Sequence, residues 1–146
     1  MTKVIKHGDA KAAVKEGTKE GMVECAIKVV GQAKAICPVG KENGGRLRNS
    51  IMWKSSDKEG GLNNSGGEKA QALETKAGDM DVLVGSNVEY STYQEFGTRY
   101  IPPQPFLRPA IAIHGFGADA QQTMKKRAEE VMKGKLEEGQ DRVKFF

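Results

Sequence analysis

Hydrophobic positions recur with a helical period toward both ends of the chain and with a period of two in its middle. Over residues 9–36, Met22, Ala26, Val29, Ala33 and Ile36 are spaced by four and three, which sets them on one helix face. Val23, Ile27 and Val30 widen that stripe. Asp9 can cap the start, and Pro38 stops the helix, because the residue before a proline disfavours the helical region. Gly17 and Gly21 weaken the first half by up to about 1 kcal/mol each relative to Ala. Over 47–54, Leu47, Asn49, Ile51 and Trp53 alternate with Arg48, Ser50, Met52 and Lys54, the pattern of a strand anchored in the core by Trp53. A second strand is predicted at 79–86, with Met80, Val82 and Val84 on one face. Residues 57–78 between them carry Gly60, Gly61, Asn63, Asn64, Gly66 and Gly67, and read as a long mobile loop joining two antiparallel strands.

Tyr90, Tyr93 and Phe96, three apart, predict one or two helical turns closed by Gly97. Pro102, Pro103, Pro105 and Pro109 hold the next stretch extended until Pro109 opens a helix, which Gly115 and Gly117 interrupt. Residues 118–136 form the last amphipathic helix, with Met124, Ala128, Val131, Met132 and Leu136 on its apolar side. The expected fold is α+β: a long N-terminal helix and a C-terminal helix packed on a small antiparallel β-sheet that carries a long mobile loop. A single domain spanning 1–146 is expected.

A chain of 146 residues buries roughly two thirds of its unfolded surface, so it needs no disulfide or metal to fold. Cys25 and Cys37 would lie about 18 Å apart along the first helix, too far to pair, and read as buried small side chains or free thiols of a reducing compartment. No apolar run reaches the ~18 residues of a transmembrane helix, and the first nine residues lack the apolar stretch of a signal peptide. The net charge of +4 is uneven. Residues 1–56 hold 11 Lys and Arg against 5 Asp and Glu, or +6, whereas residues 57–146 hold 12 against 14, or −2. The basic part suits a polyanion or an acidic protein partner, or is a Lys-rich solvated helix face.

Candidate chemistry is sparse. No Gly-rich phosphate loop occurs, and no Ser, Cys or Thr has a base and an orienting acid nearby in sequence. His7 and His114 are far apart, and Asp79 and Asp81 lack a third acid, so they read as the polar rim of a strand. No catalytic residue, metal, cofactor or small-molecule substrate is expected. The alternative to a structural role is a small basic nucleic-acid-binding domain. Arg46 and Arg48, with Lys41 close by, and Tyr90, Tyr93, Tyr100 and Phe106 could line a groove for single strands. The reading preferred over it has these aromatics fill a small core while the arginines pair with Glu89 or Glu95, since no nucleic-acid-binding motif is present.

Three segments carry the most information: Gly45-Arg46-Leu47-Arg48-Asn49-Ser50-Ile51, Tyr93-Gln94-Glu95-Phe96-Gly97-Thr98, and Pro102-Pro103-Gln104-Pro105-Phe106-Leu107-Arg108-Pro109-Ala110. In this order, after a long helix and Pro38-Val39, they resemble the tail-component family of long-tailed bacteriophages, the gene-product-ten-like head–tail connector or tail-completion proteins. The likeness runs from about Ile36 to Ala110. It departs at Gly40-Lys41-Glu42-Asn43-Gly44, where relatives carry a shorter turn with an acid, Thr and Gly.

The resemblance implies a non-enzymatic neck protein of a phage or prophage virion, assembled in the bacterial host cytoplasm. It implies a ring of copies, hexameric, that caps the tail tube and meets the tail-tube protein on one side and the head connector and portal-side proteins on the other. No membrane contact or direct DNA binding is implied. The interface and structural motif residues are Arg46, Leu47, Arg48, Tyr93, Glu95, Phe96, Gly97, Thr98, Pro105, Phe106, Leu107 and Arg108. The 60–67 loop is expected to order against a neighbouring subunit. Glu95, set between Tyr93 and Phe96, is expected to pair with Arg108 or Arg48, the alternative being a solvent-exposed carboxylate. Gly97 is expected to need a positive φ or close packing, with Val costlier there than Asn.

Overall fold

The structure, a computed structural model, describes residues 7–39, 45–62, 73–115 and 117–142. The expected turn at 40–44 and the centre of the expected loop, 63–72, lie outside the described residues. The architecture is α+β. Helix α1 (His7–Ile36) packs against α5 (Ala118–Arg142), and a three-stranded sheet and three short helical pieces cover the C-terminal half of α1.

The contact ridge of α1 is made of small residues. Ala13, Gly17, Gly21, Cys25, Val29 and Ala33, in steps of four, are all buried, and Cys37 just beyond the helix continues the row. Gly17 faces Ala128, Gly21 faces Met124, and the Cys25 thiol faces the carbonyl of Ala120, so the two helices run antiparallel. Gly17 and Gly21 are therefore the points of closest approach rather than weak turns. A Cβ on Gly17 would stand 2.3 Å from Ala128 Cα, and one on Gly21 would stand 2.6 Å from Met124 Cα.

Each step of four turns the ridge by about 40°, so it winds around the helix. Its first half lies under α5. Its second half turns toward Leu47, Ile51, Trp53, Phe106 and Ala110, with which Val29, Val30 and Ala33 form the core. Ile27 and Ile36, placed on the apolar stripe by periodicity, fall off this winding ridge and are 52% and 39% exposed. Helix α5 runs beyond the expected end at 136; it buries Ala120 and Thr123 and half-buries Met124, Ala128, Val131 and Met132.

The strand expected at 47–54 is only partly a strand. Residues Arg46–Ser50 form a short helix, α2, and β1 is Met52–Lys54. Within 46–51 the buried positions are Leu47, Ser50 and Ile51, spaced by three and four, which is a helical pattern as much as an alternating one. Gly45, at φ 83°, turns the chain into α2, and Asn49 N donates to its carbonyl at 2.8 Å. The Ser50 hydroxyl bonds to Leu47 O and to Ser86 Oγ, which ties α2 to the end of the third strand.

The sheet order is β2-β1-β3, both pairs antiparallel, where β2 is Glu59–Gly60 and β3 is Leu83–Gly85. Trp53 sits opposite Gly60 on one side and Val84 on the other. The strand expected at 79–86 shortens to β3 because residues 79–80 make a turn. Gly60 and Gly61, expected in a mobile loop, belong instead to the packed sheet edge. A Cβ on Gly60 would meet the Trp53 indole at 3.0 Å, and Gly61 (φ 92°) lies against Val30 and Ile51 O. Beyond β3, helix α3 (Ser91–Phe96) ends at Gly97, and α4 (Leu107–Ala110) passes into a π-helical turn, Ile111–Gly115, before Gly117 at φ 89° opens α5. Pro109 stands in the first turn of α4, where its missing N–H costs nothing.

Candidate assembly interface

Residues 93–108 fold into one braced unit. Gly97 N donates to Tyr93 O at 2.9 Å and closes α3. Gly97 has φ 76° and ψ 170°, a region that is nearly exclusive to glycine and lies outside the left-handed well that Asn tolerates. A Cβ there would also sit 2.8 Å from Pro103 N. Both expected reasons for glycine are present. Thr98 N donates to Ile101 O at 2.8 Å, and the Thr98 hydroxyl accepts from Tyr100 N and Ile101 N. Gln104 N donates to Gln94 O at 2.8 Å, which pins the proline segment along α3.

Beneath this turn lies Glu95, only 4% exposed. Its Oε2 accepts from Phe106 N (2.8 Å) and Leu107 N (3.0 Å), and its Oε1 accepts from Arg108 N (2.9 Å) and Arg108 Nε (3.2 Å). Arg108 Nη2 donates to Glu95 O at 3.0 Å, and the guanidinium covers the Phe96 ring at 4.8 Å. One carboxylate thus satisfies the otherwise unpartnered N–H groups that open α4. Burial pushes the Glu95 carboxyl up, but the three backbone N–H groups and Arg108 outweigh it and hold its pKa below the ordinary 4.5. Of the two arginines expected to pair with Glu95, Arg108 does so. Arg48 lies by Lys34, whose ammonium is held below its ordinary pKa by burial and by the Arg48 charge.

The upper side of the unit is aromatic and largely exposed: Tyr93 is 56%, Phe96 62% and Tyr100 88% exposed, and Ile101 and Val39 are exposed as well. Of these, Tyr93, Val39 and Ile101 border a groove of about 560 Å³ lined also by Pro38, Arg46, Leu47, Tyr90 and Gln104. The expectation that the tyrosines fill a core holds for Tyr90, which packs against it, and fails for Tyr93 and Tyr100. Phe106 and Leu47 are buried in the core and anchor the motif from below, and Pro105 is exposed on the linking strap.

Gly60 lies in β2 with Gly61 just beyond it, and neither lines this groove; Asn63, Asn64, Gly66 and Gly67 fall outside the described residues. Val39, Gln94, Ile101 and Gln104 are not among the interface residues expected from the sequence, although the motif segments contain Val39, Gln94 and Gln104. Their link is a backbone bond and a shared groove, which leave no side-chain pattern.

Other polar groups are engaged elsewhere. Asp79 pairs with Lys15 and Lys19, and His114 Nδ1 is 3.5 Å from Asp119 Oδ2. Among the described residues no three His, Cys, Asp or Glu side chains converge on a metal-sized space. Both cysteines are buried and unpaired, and burial pushes the Cys37 thiol up to about 11. Among the described residues no helix is long and apolar enough to cross a membrane.

A family model with the description "Bacteriophage HK97-gp10, putative tail-component" matches residues 2–97. The chain belongs to the HK97-gp10-like family. No curated protein and no solved structure matches it. Membership in the HK97-gp10-like family makes the chain a bacteriophage tail component. The matched span ends at Gly97, so the proline strap and α4 lie beyond it. Glu95 ties the matched span to the start of α4, through its bonds to Phe106, Leu107 and Arg108.

Proposed function

We propose that this tail component is a non-enzymatic tail-completion or connector protein of the head–tail junction. In this reading, copies form a ring that caps the tail tube and offers its other side to the head connector. The observation that supports it is the aromatic face held rigid by the Glu95 latch. Exposed tyrosine and phenylalanine grouped beside arginine are the side chains that dominate protein interfaces. A latch that fixes them in advance lowers the entropy lost on docking. The work is binding geometry, and the buried acid and thiols are committed to structure.

Light scattering of the purified protein, alone and with tail-tube protein, tests this reading. A defined oligomer in at least one setting is expected, and a strict monomer in both overturns the ring. A phage lacking the gene is expected to accumulate separate heads and tails; normally joined particles would overturn the junction role. The nucleic-acid alternative predicts oligonucleotide binding that weakens steeply with salt.

A further inference from the structure

We infer that the segment Val143-Lys144-Phe145-Phe146 of one copy docks its phenylalanines into the tyrosine-lined groove of the next. This inference rests on the ring reading above and names the two surfaces that would build the ring.

The groove suits an apolar occupant. Val39, Leu47, Tyr90, Tyr93 and Ile101 make up its apolar wall, and of the described residues lining it Arg46 alone is charged. Val39, Tyr93 and Ile101 are exposed, so the single chain leaves that wall in solvent. A cavity of roughly 150 Å³ holds a benzene ring, so a groove of about 560 Å³ has room for two phenyl groups. Its frame is built in advance, since Leu47 sits in the core and Gln104 N bonds Gln94 O. Little freedom is lost there on docking. Phenylalanine rings gain from edge-to-face contact with the tyrosines beyond the apolar area they bury.

The occupant follows α5. From Glu137 to Arg142 the sequence is polar apart from Gly139; then come Val143, Phe145 and Phe146, with two of the chain's five phenylalanines side by side. Residues 143–146 lie outside the described residues, but the end of α5 fixes where they start. The facing pairs Gly17–Ala128, Gly21–Met124 and Cys25–Ala120 advance by four in opposite directions. Continued, that register sets His7 level with Glu138, so the last turn of α5 runs past the described start of α1.

Geometry makes the contact intermolecular. The groove begins at Pro38, beyond the opposite end of α1, and the 30 residues of that helix span about 45 Å. Four extended residues reach about 14 Å at most, so Phe145 and Phe146 cannot enter their own groove. Two different patches at opposite ends of one helix pair head to tail. Such a heterologous contact closes into a ring when the rotation per copy permits.

The test is sedimentation or light scattering of the full chain, alone and with tail-tube protein, at low and high salt. Phe145→Ser together with Phe146→Ser, and separately Ile101→Glu in the groove, are each expected to weaken self-association by roughly tenfold or more with an unchanged melting temperature. All three substitutions in one chain should weaken it no further, because both surfaces belong to one contact. Parent assembly should survive high salt, which screens exposed charges and not apolar contacts. If the variants assemble like the parent chain, the surfaces are wrong while the ring stands. Additive losses, or assembly that salt abolishes, overturn the pairing. A tail variant that melts several degrees lower places the phenylalanines against their own chain and overturns it too. Variants that lose only the tube protein assign the surface to that partner and overturn the self-contact. A parent chain that stays monomeric in every setting sinks the ring and the contact together.

Discussion

Removing the Glu95 carboxylate should loosen the junction between the matched family span and the helices that follow it. Glu95→Ala leaves the N–H groups of Phe106, Leu107 and Arg108 without their acceptor. Bonds to a charged acceptor contribute about 1.5–3 kcal/mol each, but Leu107 is half-buried and Arg108 exposed, so water replaces part of what is lost there. Phe106 is fully buried, and its N–H bears the full cost of desolvation, about 1–3 kcal/mol. Adding the loss of a helix cap, about 0.5–2 kcal/mol, gives a total of about 1.5–5 kcal/mol.

For a chain of this size that corresponds to roughly 4–15 °C in melting temperature. Glu95→Gln should cost nearly as much. Each carboxylate oxygen accepts two donors, and the amide nitrogen of Gln can accept none. The native pKa lies below the ordinary 4.5, so the stabilisation is complete above 4.5 and is lost as the pH falls through the native value. Thermal melts of parent and Glu95→Gln from neutral pH to pH 3 should therefore show a gap that closes in acid. A gap of under about 1 °C at neutral pH, or one that persists unchanged at pH 3, would refute the latch.

The glycines separate two kinds of position. Gly17→Ala gains helix propensity but drives a methyl into Ala128, so it should destabilise by about 1–3 kcal/mol, whereas Gly31→Ala, facing open space on the same helix, should stabilise by up to about 1 kcal/mol. Urea melts of the two variants check this, and like signs would contradict the close crossing of α1 and α5. Gly97→Asn and Gly97→Ala should both lower the melting temperature by similar amounts, because the backbone region and the Pro103 contact exclude any Cβ; a clearly milder Asn variant would argue for an ordinary left-handed cap. Cys37 should resist thiol reagents at pH 8 until the chain is unfolded, since its buried thiol titrates at about 11; fast labelling of the native protein would show that the site opens.

Local pattern was enough for much of the fold. The long first helix, the last amphipathic helix, the aromatic turn closed by Gly97 and the proline strap follow from periodicity and from backbone restrictions carried by single residues. The motif order alone led to the family that the model match gives. Tertiary structure decided what local pattern leaves open. Leu47 and Ile51 suit a strand or a helix equally, and packing of Leu47, Ser50 and Ile51 into one core chose α2. Gly17 and Gly21 carry no hydrophobic signal, yet their missing side chains set the crossing of α1 and α5. The Glu95 latch draws mostly on backbone N–H groups, which every residue but proline has, so sequence could offer arginine partners but not the helix start. Whether a tyrosine is covered depends on which surfaces meet in three dimensions, and that left Tyr90 against the core and Tyr100 in solvent.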